Sequence, residues 1–78
     1  MKAIADPRRR QILALVHERE LSAGEIAAHF EVTRSAISQH LGVLRKVGLV
    51  SERRDGTRRM YQARREGLQK LKASLEEL

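Results

Sequence analysis

The chain has no cysteine, no tryptophan and a single proline among its 78 residues. Without thiols it forms neither disulfides nor thiolate metal sites. The histidines do not make up the loss. His17 and His29 fall on different predicted helices, and neither has a second histidine one turn away. A zinc site needs three or four converging ligands, so no metal and no other cofactor is expected. Aromatic residues are nearly absent, with only Phe30 and Tyr61. That argues against single-stranded nucleic acid as a ligand, because such proteins stack bases on aromatic platforms. No apolar run approaches the roughly 20 residues of a membrane span. The stretch Met1–Arg8 lacks the apolar segment of a secretory signal, so no membrane partner and a cytoplasmic location are expected. There is no glycine-rich phosphate loop and no paired-histidine metalloprotease motif. Asp6, Glu25 and Glu31 are accounted for as capping or turn residues. An enzyme active site is therefore not expected.

What the chain does have is positive charge: 16 Lys and Arg against 10 Asp and Glu, a formal net charge of +6. The excess is concentrated. Residues 51–65 carry six basic and two acidic groups, whereas residues 66–78 carry two and three. A local excess of this kind suits an anionic partner, whether nucleic acid or an acidic protein. A chain of this length makes one domain, and its core alone rarely supplies more than about 3–5 kcal/mol. With disulfides and metal excluded, a second copy of the chain is the natural source of further stability.

The order of local signals sets the fold. Asp6 followed by Pro7 is a strong helix start; the helix carries Ile12, Leu13, Leu15 and Val16 on a buried stripe and ends near Arg19. Ser22 and Glu25 have the spacing of a capping box, with Leu21 and Ile26 as its apolar staple, which begins a short helix over about Ala23 to His29. Glu31-Val32-Thr33 is a tight connection, and Thr33 caps a third helix from Arg34 to about Val47, stopped by Gly48. Two helices so joined are the skeleton of a helix-turn-helix. The pattern then becomes extended on either side of Asp55-Gly56, a hairpin signal that favours a type I′ turn. That turn would set Arg53 opposite Arg58 and Glu52 opposite Arg59. The expected fold class is mainly α with a β-hairpin: a single winged helix-turn-helix domain over 1–78, with the helix-turn-helix at about 23–47, the wing at about 49–62 and a C-terminal helix at about 64–77. On that last helix Leu68, Leu71, Leu75 and Leu78 form an a/d-like seam, which could fold back on the domain or meet its copy. The size argument favours a homodimer, with Met1 and Ile4 joining the interface.

The third helix divides cleanly when projected at about 100° per residue. Ala36, Ile37, Leu41, Val43, Leu44 and Val47 share one arc. Arg34, Ser35, Ser38, Gln39, Gly42, Arg45 and Lys46 share the opposite arc, which holds no acid. Arginine reads guanine, glutamine reads adenine and serine reads either at the edges of base pairs. Because the N-terminal end of a recognition helix makes the base contacts, Arg34, Ser35, Ser38 and Gln39 are the expected base-reading residues. Thr33, Arg45, Lys46 and the hairpin arginines Arg53, Arg54, Arg58 and Arg59 suit phosphates or a narrow minor groove. Gly42 would let the helix approach the groove closely. His40 projects into the apolar arc and is expected to pack rather than to touch a ligand. Arg8, Arg9 and Arg10 sit where the helix dipole disfavours cations, either solvated or engaged with an anion. Double-stranded DNA is the expected partner, and the alternative is a winged-helix protein-interaction module that uses the basic face on an acidic protein.

Several of these stretches together resemble the ArsR-type family of bacterial winged helix-turn-helix repressors: Ala5-Asp6-Pro7-Arg8-Arg9-Arg10-Gln11-Ile12-Leu13, Gly24-Glu25-Ile26-Ala27, Ser35-Ala36-Ile37-Ser38-Gln39-His40-Leu41-Gly42-Val43-Leu44, Gly48-Leu49-Val50, and the arginine-rich hairpin ending in Tyr61. The resemblance covers essentially the whole chain. It implies a homodimer held by the first short helix and the last helix. It further implies recognition helices in successive major grooves of an imperfect palindrome, and repression by occupying a promoter, including the protein's own, on the bacterial nucleoid. The family's base-contacting positions fall on Ser35, Ser38 and Gln39. The chain departs from the metal-sensing members, which carry cysteines near the helix at Ala23 to His29 or Asp/His ligands in the last helix. The resemblance is therefore to the branch without metal-binding cysteines, and it leaves the inducer open: a protein, a small molecule, or none.

Overall fold

The computed structural model describes residues 2–76. After a short 3-10 turn (Lys2–Ile4) come α1 (Pro7–Glu18), β1 (Leu21–Ser22), α2 (Ala23–Ala28), α3 (Arg34–Lys46), β2 (Val50–Asp55), β3 (Arg58–Ala63) and α4 (Arg65–Glu76). No helix among the described residues is long and apolar enough to cross a membrane.

The starts of α1, α2 and α3 are each made by the residue expected to make them. The Asp6 carboxylate accepts hydrogen bonds from the backbone N–H of Arg8 at 2.8 Å and Arg9 at 3.3 Å, with Pro7 at the first helical position. Ser22 and Glu25 form the reciprocal capping box: Glu25 N–H donates to Ser22 Oγ at 3.1 Å, and Ser22 N–H donates to Glu25 Oε1 at 3.0 Å. Thr33 Oγ1 accepts from Ala36 N–H at 3.1 Å. These bonds satisfy N–H groups that the first turn of a helix leaves without partners.

The core is continuous through all layers. Ile12, Leu13 and Val16 of α1 meet Ile26 of α2, Ile37, Leu41 and Leu44 of α3, and Leu21, Leu49, Val50 and Tyr61 of the sheet. The projected stripes are correct at their centres and overstated at their edges. Leu15, Ala36 and Val43 are only half-buried, and Val47 is exposed. Val47 is the C-cap of α3, where the chain has begun to turn away from the helix axis. The connection between α2 and α3 is also longer than expected, because α2 ends at Ala28 rather than His29.

The sheet differs from expectation in two ways. It has three strands in the order β1-β3-β2, not two. Leu21 and Ser22 pair with Tyr61 and Met60 of β3, a strand too short to leave a period in the sequence. The hairpin register is also shifted. Asp55 faces Arg58, Arg54 faces Arg59, Arg53 faces Met60, and Glu52 faces Tyr61. The expected type I′ turn needs positive φ at both central residues. Gly56 has φ of 63°, but among the described residues no non-glycine residue has positive φ. The turn therefore places Gly56 and Thr57 at its centre, with glycine first, and every cross-strand pair moves with it.

α4 buries none of its residues completely. Leu68 and Leu71 pack half-buried against the core, while Leu75 is 55% exposed. Its first turn lies close to the body of the domain. A Cβ at Gly67 would come within 2.1 Å of the Gly48 carbonyl oxygen, so only glycine permits this approach. The ends expected of the seam and interface, Leu78 and Met1, lie outside the described residues, as does Glu77.

Candidate nucleic-acid interface

The strand alternation sorts the hairpin arginines into two pairs. Val50, Glu52 and Arg54 on β2 share a face with Arg59, Tyr61 and Ala63 on β3, because these are register partners at alternate positions. Val50 and Tyr61 are buried, so this face packs toward α3. Between it and α3 lies a polar groove of about 370 Å³, bordered by Arg34, Ser38, Gly42 and Arg45 on one side and by Glu52, Thr57, Arg59 and Tyr61 on the other. Arg53 and Arg58 lie on the opposite face of the hairpin. Arg53 pairs with Glu20, its Nε donating to Oε2 at 3.0 Å. Arg58 Nη2 donates to Glu25 Oε1 at 2.6 Å and to Ser22 Oγ at 3.3 Å. These pairs brace the hairpin against the start of α2 and the turn before β1.

The residues expected on the polar strip of α3 are all exposed: Arg34, Ser35, Ser38, Gln39, Arg45 and Lys46, with Thr33 at its head. Arg34, Ser38, Gly42 and Arg45 face the groove, and Ser35, Gln39 and Lys46 lie further round the helix. A Cβ at Gly42 would meet nothing within 4 Å, so the middle of the strip is open to close approach. Among the described residues, Arg34, Lys46 and Arg54 form no ion pair, whereas Arg45 and Arg59 both pair with Glu52.

Glu52 is the residue that sequence reasoning passed over. Its Oε2 accepts from Arg45 Nη1 at 3.1 Å and from Tyr61 Oη at 3.0 Å, and its Oε1 lies 3.9 Å from Arg59 Nε. Burial and this hydrogen bond to Glu52 hold the Tyr61 phenol above its ordinary pKa. The expected register had already placed Glu52 beside Arg59. The links to Arg45 and Tyr61 needed the true register and the position of α3.

His40 and the arginines of the first turn have structural partners. His40 is half-buried at the α1–α3 contact, where its Nδ1 accepts from Arg9 Nε at 3.2 Å. It packs, as expected, but at the rim of the core. Arg8 lies over the Phe30 ring at 4.6 Å from the centroid, a cation–π contact. Arg10 donates to the carbonyl oxygens of Ile4 and Ala5. The Asp6 carboxyl is held below its ordinary pKa: partial desolvation pushes it up, and the hydrogen bonds from Arg9 and Arg8 N–H pull it down by more. Glu20 is lowered by its hydrogen bonds from Arg53, and Glu25 by those from Ser22 with further help from Arg58.

A second groove, of about 380 Å³, lies between α1 and α4. It is lined by Ile4, Leu13, Ala14 and His17 with Leu68 and Leu71, together with Arg10. Of the residues expected at a dimer interface, Ile4, Leu68 and Leu71 are brought together here.

The sequence and the fold have close counterparts. The chain is 44% identical over 55 residues to the transcriptional repressor SdpR of Bacillus subtilis, covering 70% of this chain and 61% of that protein. It is 44% identical over 61 residues to the transcriptional activator HlyU of Vibrio cholerae, covering 78% and 56%. The chain thus spans about three-fifths of the length of these curated relatives. A crystal structure of a possible transcriptional regulator for arsenical resistance superposes with a TM-score of 0.93 at 42% identity, covering 97% of this chain and 79% of that one. Residues 6–52 match the family model described as bacterial regulatory protein, arsR family, and these residues run from the cap of α1 through the helix-turn-helix into the wing, so the chain belongs to the ArsR family of winged helix-turn-helix regulators.

Proposed function

We propose that this chain is a transcriptional regulator that reads duplex DNA through α3 and the hairpin. The observation that carries this reading is the exposed, acid-free polar strip of α3, with Arg59 of the hairpin across the groove from Arg34, Ser38 and Arg45. B-DNA's major groove admits a helix, and cations on either side of it engage phosphates that fix the register. In this reading Arg34, Ser35, Ser38 and Gln39 touch base edges. Thr33, Arg45, Lys46, Arg54 and Arg59 touch phosphates or the minor groove. Arg53 and Arg58 reach a phosphate only by exchanging Glu20 and Glu25 for it. Exposed ion pairs of this kind are worth about 0–1 kcal/mol, so the exchange costs little.

The working unit in this reading is a homodimer that covers the α1–α4 groove with the seam of a second copy. Ile4, Leu68 and Leu71 lie at its centre, Leu75 extends it, and Met1 and Leu78 belong to the same interface. A two-fold protein matches a two-fold operator, so an imperfect palindrome is the expected site. Promoter occupancy on the nucleoid, in the cytoplasm, makes the protein a repressor.

The test is selection of bound sequences from random duplex DNA. Enriched sequences with two-fold symmetry, and half-sites one helical turn or a multiple apart, are the expected result. Absence of any enrichment at low salt would overturn the proposal.

A further inference from the structure

The polar strip of α3 is free of acids, yet the groove it borders is not. Glu52 is the one carboxylate lining that groove. An acid facing the path of a polyanion repels it, so a role as a mere surface charge would be counterproductive there. Its surroundings point elsewhere. The side chain is 22% exposed, against 55% for Arg45 and 61% for Arg59. It is pinned from below by Tyr61, its register partner on β3 and a buried residue. From that fixed point it holds one guanidinium from the last turn of α3 and faces another from the wing.

We propose that Glu52 is a positioning residue that sets the DNA specificity of this chain; the inference rests on the DNA-binding function argued above. Glu52 acts in two ways. A guanidinium has five N–H donors; the Glu52 carboxylate accepts from one of Arg45's at 3.1 Å and attracts Arg59 as an ion-pair partner at 3.9 Å without taking up a donor. The remaining donors of Arg45 and Arg59 are presented to the duplex in a fixed arrangement, which reduces the side-chain ordering that binding would otherwise require. The carboxylate also removes one unit of positive charge from the groove. Non-specific binding is almost entirely electrostatic, so it suffers the full loss. Binding to a matched site recovers part of that loss, because only there do the oriented guanidinium groups of Arg45 and Arg59 meet phosphates at fixed positions. The two effects widen the gap between the operator and random DNA.

The experiment compares three proteins on a selected operator and on random duplex over a range of salt concentrations. Glu52→Gln keeps the shape and removes the charge. It should tighten binding to random duplex severalfold, steepen that salt slope by up to about one, and lower the operator-to-random ratio about tenfold. Tyr61→Phe keeps the charge and releases the carboxylate from its anchor. It should lower the ratio about threefold through the operator alone, leaving random duplex unchanged. A role confined to stapling the hairpin to α3 would move thermal midpoints and leave both ratios alone, which would overturn the inference. So would parallel shifts of both affinities in Glu52→Gln, or an unchanged ratio in Tyr61→Phe. Tyr61→Phe also serves alone if the other variant does not fold. Wild-type protein that prefers no duplex would instead sink the DNA-binding reading itself.

Discussion

Two grooves of nearly equal volume lie on this small domain, about 370 Å³ between α3 and the wing and about 380 Å³ between α1 and α4. They have opposite chemistry. The first is bordered by three arginines, a serine and a single acid. The second is bordered mostly by leucine, isoleucine and alanine, together with His17 and Arg10. Size alone therefore says nothing about occupants. The polar groove leaves cations with spare donors, which suits phosphates. The apolar groove leaves leucines half out of water, which suits another apolar surface, and the same helix that lines it carries a further exposed leucine at 75.

The largest expected effect breaks the apolar side of this comparison. Leu71→Asp with Leu75→Asp removes two seam leucines per chain, each worth about 1.5–3 kcal/mol when fully buried. Analytical ultracentrifugation should find monomers or unfolded chain, and a stable dimer would refute the seam. On the polar side, Gln39→Ala should weaken operator binding by about 1–3 kcal/mol and spare random duplex; equal losses on both would remove its base-reading role. The hairpin faces can be set against each other. Arg54→Ala with Arg59→Ala should flatten the salt slope by about 1.8 per protomer, at about 0.9 per phosphate contact. Arg53→Ala with Arg58→Ala should flatten it far less. Equal slopes in the two double variants would erase the distinction between the faces.

A smaller and more diagnostic effect is expected at Gly42. Alanine in a helix interior is more favourable than glycine by about 0.5–1 kcal/mol, and a Cβ there meets open space. Gly42→Ala should therefore raise the thermal midpoint while weakening DNA binding, two changes of opposite sign. The smallest effect concerns pH. Glu20, Glu25 and Asp6 are held below their ordinary pKa values by Arg53, by the capping box and by the N–H groups of the first turn. A carboxylate lowered in the folded state stabilises it fully above the unfolded pKa, and the contribution is lost as pH falls through the folded value. Chemical denaturation should show constant stability near neutrality and a decline only as pH drops below the usual carboxylate range. Glu25→Gln should shallow that decline.

The helix starts were legible because capping is local: Asp6, Ser22 and Thr33 each satisfy N–H groups two or three residues away. The core stripes were legible from helical period, and so was the exposed strip of α3. The hairpin was legible in place but not in register. Asp-Gly favours a type I′ turn locally, yet the pairing that buries Val50 and Tyr61 against α3 and joins β1 to β3 is a tertiary matter. The division of the hairpin arginines survives the shift, because both registers put Arg54 and Arg59 on one face and Arg53 and Arg58 on the other; what stayed hidden was which of the two faces meets α3. Glu52 was hidden for a further reason. Two of its partners lie seven and nine residues away, on elements whose relative placement no periodicity reports.

Gly67 carries a consequence that reaches well beyond its own contact. With no side chain in the way, α4 starts directly against the backbone at Gly48, and that contact fixes the direction in which the helix leaves the domain. In a symmetric pair joined through α4, this direction dictates how far apart the two reading heads stand. DNA accepts few separations, multiples of about 34–36 Å. The ruler for operator spacing would then be a missing methyl group in the first turn of α4, and Gly67→Ala would mis-set the ruler while leaving the residues proposed to touch bases unchanged.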